Sequence, residues 1–314
     1  MTIDTTNFSF PDVVGVYKGK VRDVYEFDEK VVLIATDRIS CFDRVLPRAI
    51  PHKGAVLNQI AAHFLTATKD IVPNWLESVL HANVSMGVKA VPIRAEVIVR
   101  GVLMGSAWRA YATGIHTVCG VELPEGLKEF SKFETPIITP TTKEEAGHDQ
   151  DISSAELVAS GVVTQDEWDQ VSKYALDLFQ KGQDMAQERG LLLADTKYEF
   201  GKTPDGTIIL MDEIHTPDSS RYLYLDAYDN FVAGRTIERP VQLSKEFVRE
   251  WLVEQGFTGE EGQDPPAMSD SFVEDVSRRY QELYEILIGT PFANESYDSI
   301  MEHIEQAITN ELEH

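Results

Sequence analysis

Residues 191–221 read LLLADTKYEFGKTPDGTIILMDEIHTPDSSR. Two largely apolar runs flank Asp205-Gly206, and both residues tolerate the positive φ that a two-residue hairpin turn demands. Closing the hairpin there sets Pro204 against Thr207 and Glu199 against Asp212. Alternation along the strand places Asp195, Lys197 and Glu199 on one face, where Asp212 joins them. Directly opposed carboxylates repel, so folding alone does not favour the pair. A divalent cation reverses the sign of that interaction, and Mg²⁺ commonly takes one or two carboxylates together with substrate phosphates. Lys197 stands on the same face, suited to neutralising phosphate oxygens. The competing readings are a solvated, salt-bridged face or a register shifted by a bulge near residues 202–204.

Outward from this hairpin the pattern changes in blocks. Toward the N-terminus, residues 14–27 and 30–36 flank a two-residue break at Asp28-Glu29, which predicts a hairpin. Leu57, Ile60, Ala61, Phe64 and Leu65 fall on one helical stripe, and residues 88–102 are rich in Val and Ile and read as strand. Ser153 with Glu156 and Thr164 with Glu167 have capping-box spacing. The second box leads into the stripe Trp168, Val171, Tyr174, Ala175, Leu178, Phe179. Two amphipathic helices are predicted in the tail, one from Ser271 to a stop at Gly289, one through Tyr297, Ile300, Met301, Ile304 and Ile308. A β-rich start, a mixed middle and a helical end predict an α+β protein. Its expected parts are a β-rich lobe at 1–105, an α+β lobe at 106–240, and a helical segment at 241–314 packed on both.

With 314 residues and 43% hydrophobic content, the chain can bury a sizeable core, which excludes disorder as its main state. The net charge is −24. That field repels nucleic acid and anionic membrane, so neither is expected as a partner. The charge is uneven: acidic and basic residues balance over 1–60, whereas acidic residues far outnumber basic ones over 241–314, which reads as a solvated helical surface. Two cysteines, Cys41 and Cys119, cannot make a disulfide framework, and a reducing cytoplasm is the expected location. No basic residue precedes Lys18, and the longest apolar runs are strand-length, so neither a signal peptide nor a membrane span is expected.

Three further clusters bear on chemistry. Lys18, Lys20 and Arg22 share one face if the strand is continuous, with Gly19 allowing close backbone approach. Such a face suits a nucleotide phosphate, or else a lysine-decorated edge strand. The run from Glu96 through Arg100 to Gly105-Ser106 offers a guanidinium, a hydroxyl and free amides to a phosphate monoester, with Arg221 as a second clamp; alone, it also reads as a strand leaving for a loop. Residues 139–149 show neither helical nor strand period. There His148-Asp149 is either a base pair for proton transfer or plain turn chemistry. No Walker A loop, G-x-G-x-x-G, H-x-x-x-H or C-x-x-C is present.

Taken together and in order, Gly19-Lys20-Val21-Arg22-Asp23, Arg100 through Gly105-Ser106, Asp195-Thr196-Lys197-Tyr198-Glu199-Phe200-Gly201, and Asp212-Glu213 with Thr216-Pro217-Asp218-Ser219-Ser220-Arg221 resemble the SAICAR synthase family. Thr36 to Ser40, Phe42-Asp43 and Lys53-Gly54 with Asn58 are similar to its N-terminal block. Two departures from the family's pattern are the longer Pro92 to Glu96 spacing and Met104 before Gly-Ser. The resemblance implies an ATP-grasp-like pair of lobes and an ATP-dependent ligase that joins L-aspartate to the carboxylate of the aminoimidazole ribonucleotide CAIR. The products are SAICAR, ADP and phosphate, in purine biosynthesis, by way of an acyl phosphate.

By motif, the resemblance implies that Lys20, Arg22 and Lys143 hold the nucleotide and that Glu199 and Asp212 bind Mg²⁺. Arg100, Ser106 and Arg221 then hold the CAIR phosphate, with Asp43 and Asp149 in the substrate pocket, and Lys197, Asp218 and His148 are the catalytic groups. Phosphoryl transfer calls for charge neutralisation and alignment more than for a nucleophilic side chain, which suits a site without an evident Ser or Cys nucleophile. A kinase acting on an alcohol and a nucleotide-binding regulator without turnover are the alternatives.

Overall fold

The computed structural model describes residues 2–143 and 149–313. The N-terminal part builds an antiparallel sheet from β1 (Gly15–Lys18), β2 (Arg22–Glu26) and β3 (Lys30–Ala35). A short ribbon, β4 (Ser40–Cys41) with β5 (Arg44–Val45), and helix α1 (Lys53–Thr68) follow, and β6 (Leu76–His81) and β7 (Val84–Val88) complete the sheet in the order β1-β2-β3-β7-β6. The Asp28-Glu29 hairpin forms as expected, with the Phe27 amide donating to the Lys30 carbonyl at 2.9 Å. The preceding stretch is not one strand. A turn at Lys20-Val21, closed by the Gly19 amide on the Arg22 carbonyl at 2.8 Å, splits it into β1 and β2. Each apolar residue of the predicted α1 stripe is buried.

The next strand, β8 (Val91–Val102), belongs to a second sheet, although its sequence position put it with the N-terminal lobe. After helix α2 (Gly105–Ala112) and the ribbon β9 (Thr117–Val118) and β10 (Val121–Glu122) comes β11 (Lys132–Thr142). Beyond α3 (Ser154–Ala159) and α4 (Gln165–Gln187) run β12 (Leu191–Lys202), β13 (Ile208–Met211) and β14 (Ser220–Tyr224). The sheet order is β11-β8-β12-β13, with β14 paired to the first half of β12. Residues 139–142, which carry no strand period in sequence, are the end of β11, an edge strand paired with β8; Thr139, Pro140 and Thr141 are buried in succession, so no alternation shows. Both capping boxes form, starting α3 and α4.

The tail holds α5 (Leu225–Val232), α6 (Glu246–Glu254), α7 (Asp270–Ile288) and α8 (Ile300–Leu312). The two longest match expectation, α7 ending at Gly289 with φ 83°. The short α2, α5 and α6 were not legible, being two turns or so each. One continuous core runs from α1 through α4, β8 and β12 to α7, so the tail closes both sheets into one body. Among the described residues no helix is long and apolar enough to cross a membrane.

Candidate active site

The two sheets face one another across a cleft of about 860 Å³. Of the residues singled out in the sequence, Lys20, Arg22, Asp43, Arg100, Ser106, Lys143, Asp149, Lys197, Glu199, Asp212, Asp218 and Arg221 line it together. His148 lies outside the described residues.

The carboxylate pair forms differently from expectation. The β12–β13 hairpin closes with three loop residues, Pro204-Asp205-Gly206: the Thr203 amide donates to the Thr207 carbonyl at 3.0 Å, and Gly206 takes φ 86°. Proline fits the second position of a type I turn, and glycine the left-handed residue after it. The extra residue moves the register by one, so Glu199 opposes Met211 and Asp212 follows at φ 55°, outside the ladder. The carboxylate opposite Glu199 is Glu96 of β8. Lys197 resolves that repulsion, its ammonium 2.6 Å from each, and Lys143 also pairs with Glu199. Burial raises the Glu199 pKa, but Lys197 and Lys143 outweigh it and hold it at about 2.

Asp212 behaves in the opposite way. Burial first, then the charges of Glu199 and Glu213, push its carboxyl up to about 6 despite Arg22 beside it. Arg22 lies 3.2 Å from Asp212 and 2.7 Å from Glu213, which ties the N-terminal sheet to the loop after β13. The three cations of the β1–β2 region therefore do not share one face. Lys18 pairs with Asp23, Lys20 with Asp43, and only Lys20 and Arg22 line the cleft, because the turn at Lys20-Val21 breaks the alternation.

Asp212 and Glu199 are oxygen donors of the kind a hard divalent cation prefers, and both line the cleft. Among the described residues no cluster of three His, Cys, Asp or Glu forms a self-sufficient cage. Glu199 and Asp212 are residues that could hold Mg²⁺.

On the other wall, Asp195 sits opposite Arg100 on β8 and opposite Arg221 on β14. It accepts from Arg221 at 2.7 Å and from Arg100 at 3.4 Å. Arg100 also donates to the Thr139 hydroxyl at 2.9 Å and to Ser106 at 3.3 Å. Arg221 reaches Glu246 of α6 at 2.9 Å, yet its buried Nε has no partner among the described residues. Gly105, at φ 60°, brings the start of α2 against that guanidinium: a Cβ there would lie 2.5 Å from Arg221 Nη2. Two guanidiniums, a hydroxyl and a helix start thus converge on one spot.

Asp218 is the best-held carboxylate in the cleft. Lys53, fully buried at the start of α1, donates at 2.8 Å, and Tyr280 of α7 at 2.6 Å. Burial raises its pKa, but Lys245 and Lys53 hold it well below the usual carboxylate range. Such a group stays ionised near neutrality, a fixed negative charge in the cleft.

The sequence model of the SAICAR synthetase family matches residues 15–266. The phosphoribosylaminoimidazole-succinocarboxamide synthase of Flavobacterium psychrophilum is 51% identical over 314 residues, covering 99% of each chain, and that of Bacteroides fragilis is 55% identical over 306 residues, covering 96% of each. The chain belongs to the SAICAR synthetase family. Among solved structures, the Saccharomyces cerevisiae SAICAR synthase complexed with SAICAR superposes with a TM-score of 0.77 at 32% identity, over 92% of this chain and 99% of that one.

Within this member of the family, sequence reasoning missed the residues that hold the motif residues in place. Glu96 and Asp195 stood inside the quoted runs, but it is the pairing of β8 with β12 that sets Glu96 opposite Glu199 and Asp195 opposite Arg100. Lys53 carried only the family likeness. Glu246, Lys245 and Tyr280 lie in the tail and carry no local mark.

Proposed function

We propose that the cleft binds ATP, CAIR and L-aspartate side by side, with the division of labour that follows. As a member of its family, the chain is an ADP-forming carbon–nitrogen ligase, joining L-aspartate to CAIR to give SAICAR in purine biosynthesis. The observation that carries the reading is one cleft with two separate cationic walls: Lys20 and Arg22 from the first sheet, Arg100 and Arg221 from the second. On this reading Lys20, Arg22 and Lys143 hold the ATP phosphates, and Arg100, Ser106 and Arg221 hold the CAIR phosphate. Asp43 and Asp149 orient substrate. We further propose the cytoplasm as its location.

Mg²⁺ held by Glu199 and Asp212 would neutralise phosphate charge. Lys197, fixed between Glu96 and Glu199, presents a permanent cation to the transferring phosphoryl group. The CAIR carboxylate oxygen forms a bond to the γ-phosphorus while the bond to the β-phosphate oxygen breaks, releasing ADP. The unprotonated amine of L-aspartate then forms the C–N bond at the carbonyl carbon as the C–O bond breaks. The nitrogen gives up one proton, and phosphate leaves. Asp218 orients the incoming amine. His148, beyond the described residues, is proposed to receive the proton.

The test is ADP release from ATP and Mg²⁺ with CAIR and L-aspartate added singly and together. ADP equal to SAICAR, formed fully only with both, is expected; ADP with an unrelated alcohol in place of both substrates overturns the reading. Glu199→Gln is expected to abolish turnover and leave the melting temperature nearly unchanged.

A further inference from the structure

Between α1 and β6 the chain touches both sheets at once. The Leu210 amide of β13 donates to the Pro73 carbonyl at 2.8 Å, and the Trp75 amide donates back to the Leu210 carbonyl at 3.0 Å. Asn74 and Leu210 thereby form a parallel bridge. The Trp75 carbonyl turns the other way and accepts at 2.9 Å from the amide of Val88, the last residue of β7. Gly87 makes room for it, since a Cβ there would lie 1.7 Å from the Trp75 oxygen. One residue is thus hydrogen-bonded to both sheets through its backbone.

Its side chain makes a third connection. The Trp75 indole is 4% exposed and borders the cleft, and its Nε1–H donates to the Asp212 carbonyl at 2.8 Å. Asp212 is the first residue past β13 and lies outside the ladder. Its φ of 55° is a left-handed conformation, which costs a non-glycine residue energy and persists only where neighbours fix it. Arg22 is the other hold, 3.2 Å from the Asp212 carboxylate. The two holds differ in kind. Arg22 acts by charge on the carboxylate itself, so a cation sharing those oxygens competes with it. The indole bond goes to the backbone, and a cation on the carboxylate leaves it intact.

We propose that Trp75 is the positioning residue for Asp212, its indole N–H fixing the left-handed backbone from which the carboxylate reaches a divalent cation. This rests on the reading of Glu199 and Asp212 as Mg²⁺ ligands. Because Trp75 also joins β7 to β13, it holds Asp212 in register with Arg22 of the opposite sheet. The carboxylate is then placed relative to both walls of the cleft before any cation arrives.

Calorimetric titration with ADP, once in Mg²⁺ and once in EDTA, tests this, because the ratio of the two dissociation constants isolates the metal's share of binding. Two variants separate the two parts of the indole. Trp75→Phe keeps an aromatic ring and removes the donor. Trp75→His keeps a ring N–H, since imidazole Nε2 stands where indole Nε1 does in the five-membered ring, and removes the benzene part. In Trp75→Phe the Mg²⁺-dependent gain in ADP affinity is expected to fall about fivefold, the scale of one neutral hydrogen bond, with the dissociation constant in EDTA within about twofold. Trp75→His is expected to keep most of the gain while melting at a lower temperature for its lost packing. A role in packing alone predicts the opposite order. A full gain in Trp75→Phe, or a smaller gain in Trp75→His than in Trp75→Phe, therefore overturns the assignment. Should Trp75→Phe fail to fold, Trp75→His decides alone, and loss of its gain is equally fatal. An unsubstituted enzyme that binds ADP equally in Mg²⁺ and in EDTA would sink the metal reading first, and this inference with it.

Discussion

Replacing Lys53 by methionine isolates the buried ion pair beneath the cleft. Lys53 is fully buried and the Asp218 side chain is 3% exposed, with 2.8 Å between them. The substitution keeps the length and the apolar packing of the side chain but leaves Asp218 ionised with one neutral donor, Tyr280 at 2.6 Å, and one distant cation, Lys245 at 3.6 Å. Removing one partner of a buried pair costs about 3–5 kcal/mol, chiefly because the other charge stays desolvated. The two remaining contacts place this site at the low end, about 3 kcal/mol. Urea unfolding reads it directly. Lys53→Met/Asp218→Leu removes both charges and is expected to recover most of the loss, which a cycle with the single variants measures. The pH dependence carries a second signature. Because the folded Asp218 pKa is depressed, its stabilisation is present above the ordinary carboxylate pKa of about 3.9 and is lost as pH falls through the folded value. In Lys53→Met that acid-side loss is expected to shrink. A single-variant cost under about 1 kcal/mol would falsify the claim that this pair is desolvated.

Gly105→Ala is expected to cost about 1–2 kcal/mol from its left-handed backbone alone, and to raise KM for CAIR because its Cβ would lie 2.5 Å from Arg221 Nη2; an unchanged KM would remove Gly105 from the proposed clamp. His215 is fully buried, its Nε2 2.7 Å from the Tyr198 hydroxyl, and burial pushes its pKa down to about 3. Its stabilisation is therefore complete above the unfolded pKa of about 6.5 and is lost as pH falls toward 3, at up to about 1.4 kcal/mol per pH unit; unfolding free energies of His215→Asn between pH 4 and 7 are expected to show a shallower slope, and an equal slope would refute the assignment.

What the sequence discloses is what neighbours in sequence decide. Both capping boxes, the Asp28-Glu29 hairpin and the α7 stop at Gly289 depend on residues within a turn of one another, and all form. Register is less legible. The Asp205-Gly206 pair reads as a two-residue turn, yet Pro204 has no amide to donate and its fixed φ suits the corner of a longer one, so the ladder closes at Thr203–Thr207. One residue of difference takes Asp212 out of the ladder and leaves Glu96, a residue of a strand read as part of the other lobe, opposite Glu199. The inference that opposed carboxylates need a cation survives, but its first beneficiary is Lys197.

The acidic tail shows where local reading stops. As a surface it reads as solvated, and much of it is, with Glu302 and Glu305 of α8 facing water. Glu246 and Tyr280 are buried all the same, and each completes a contact begun some 25 to 60 residues earlier, at Arg221 and Asp218. A buried carboxylate looks the same in sequence as an exposed one; only the position of a guanidinium supplied by another element distinguishes them. The motif residues of this site are therefore legible as chemistry, while the groups that orient them are set by tertiary contact. A tail lost from the fold would leave Arg221 with Asp195 alone and Asp218 with its lysine alone from the rest of the chain, two loosened clamps on one cleft.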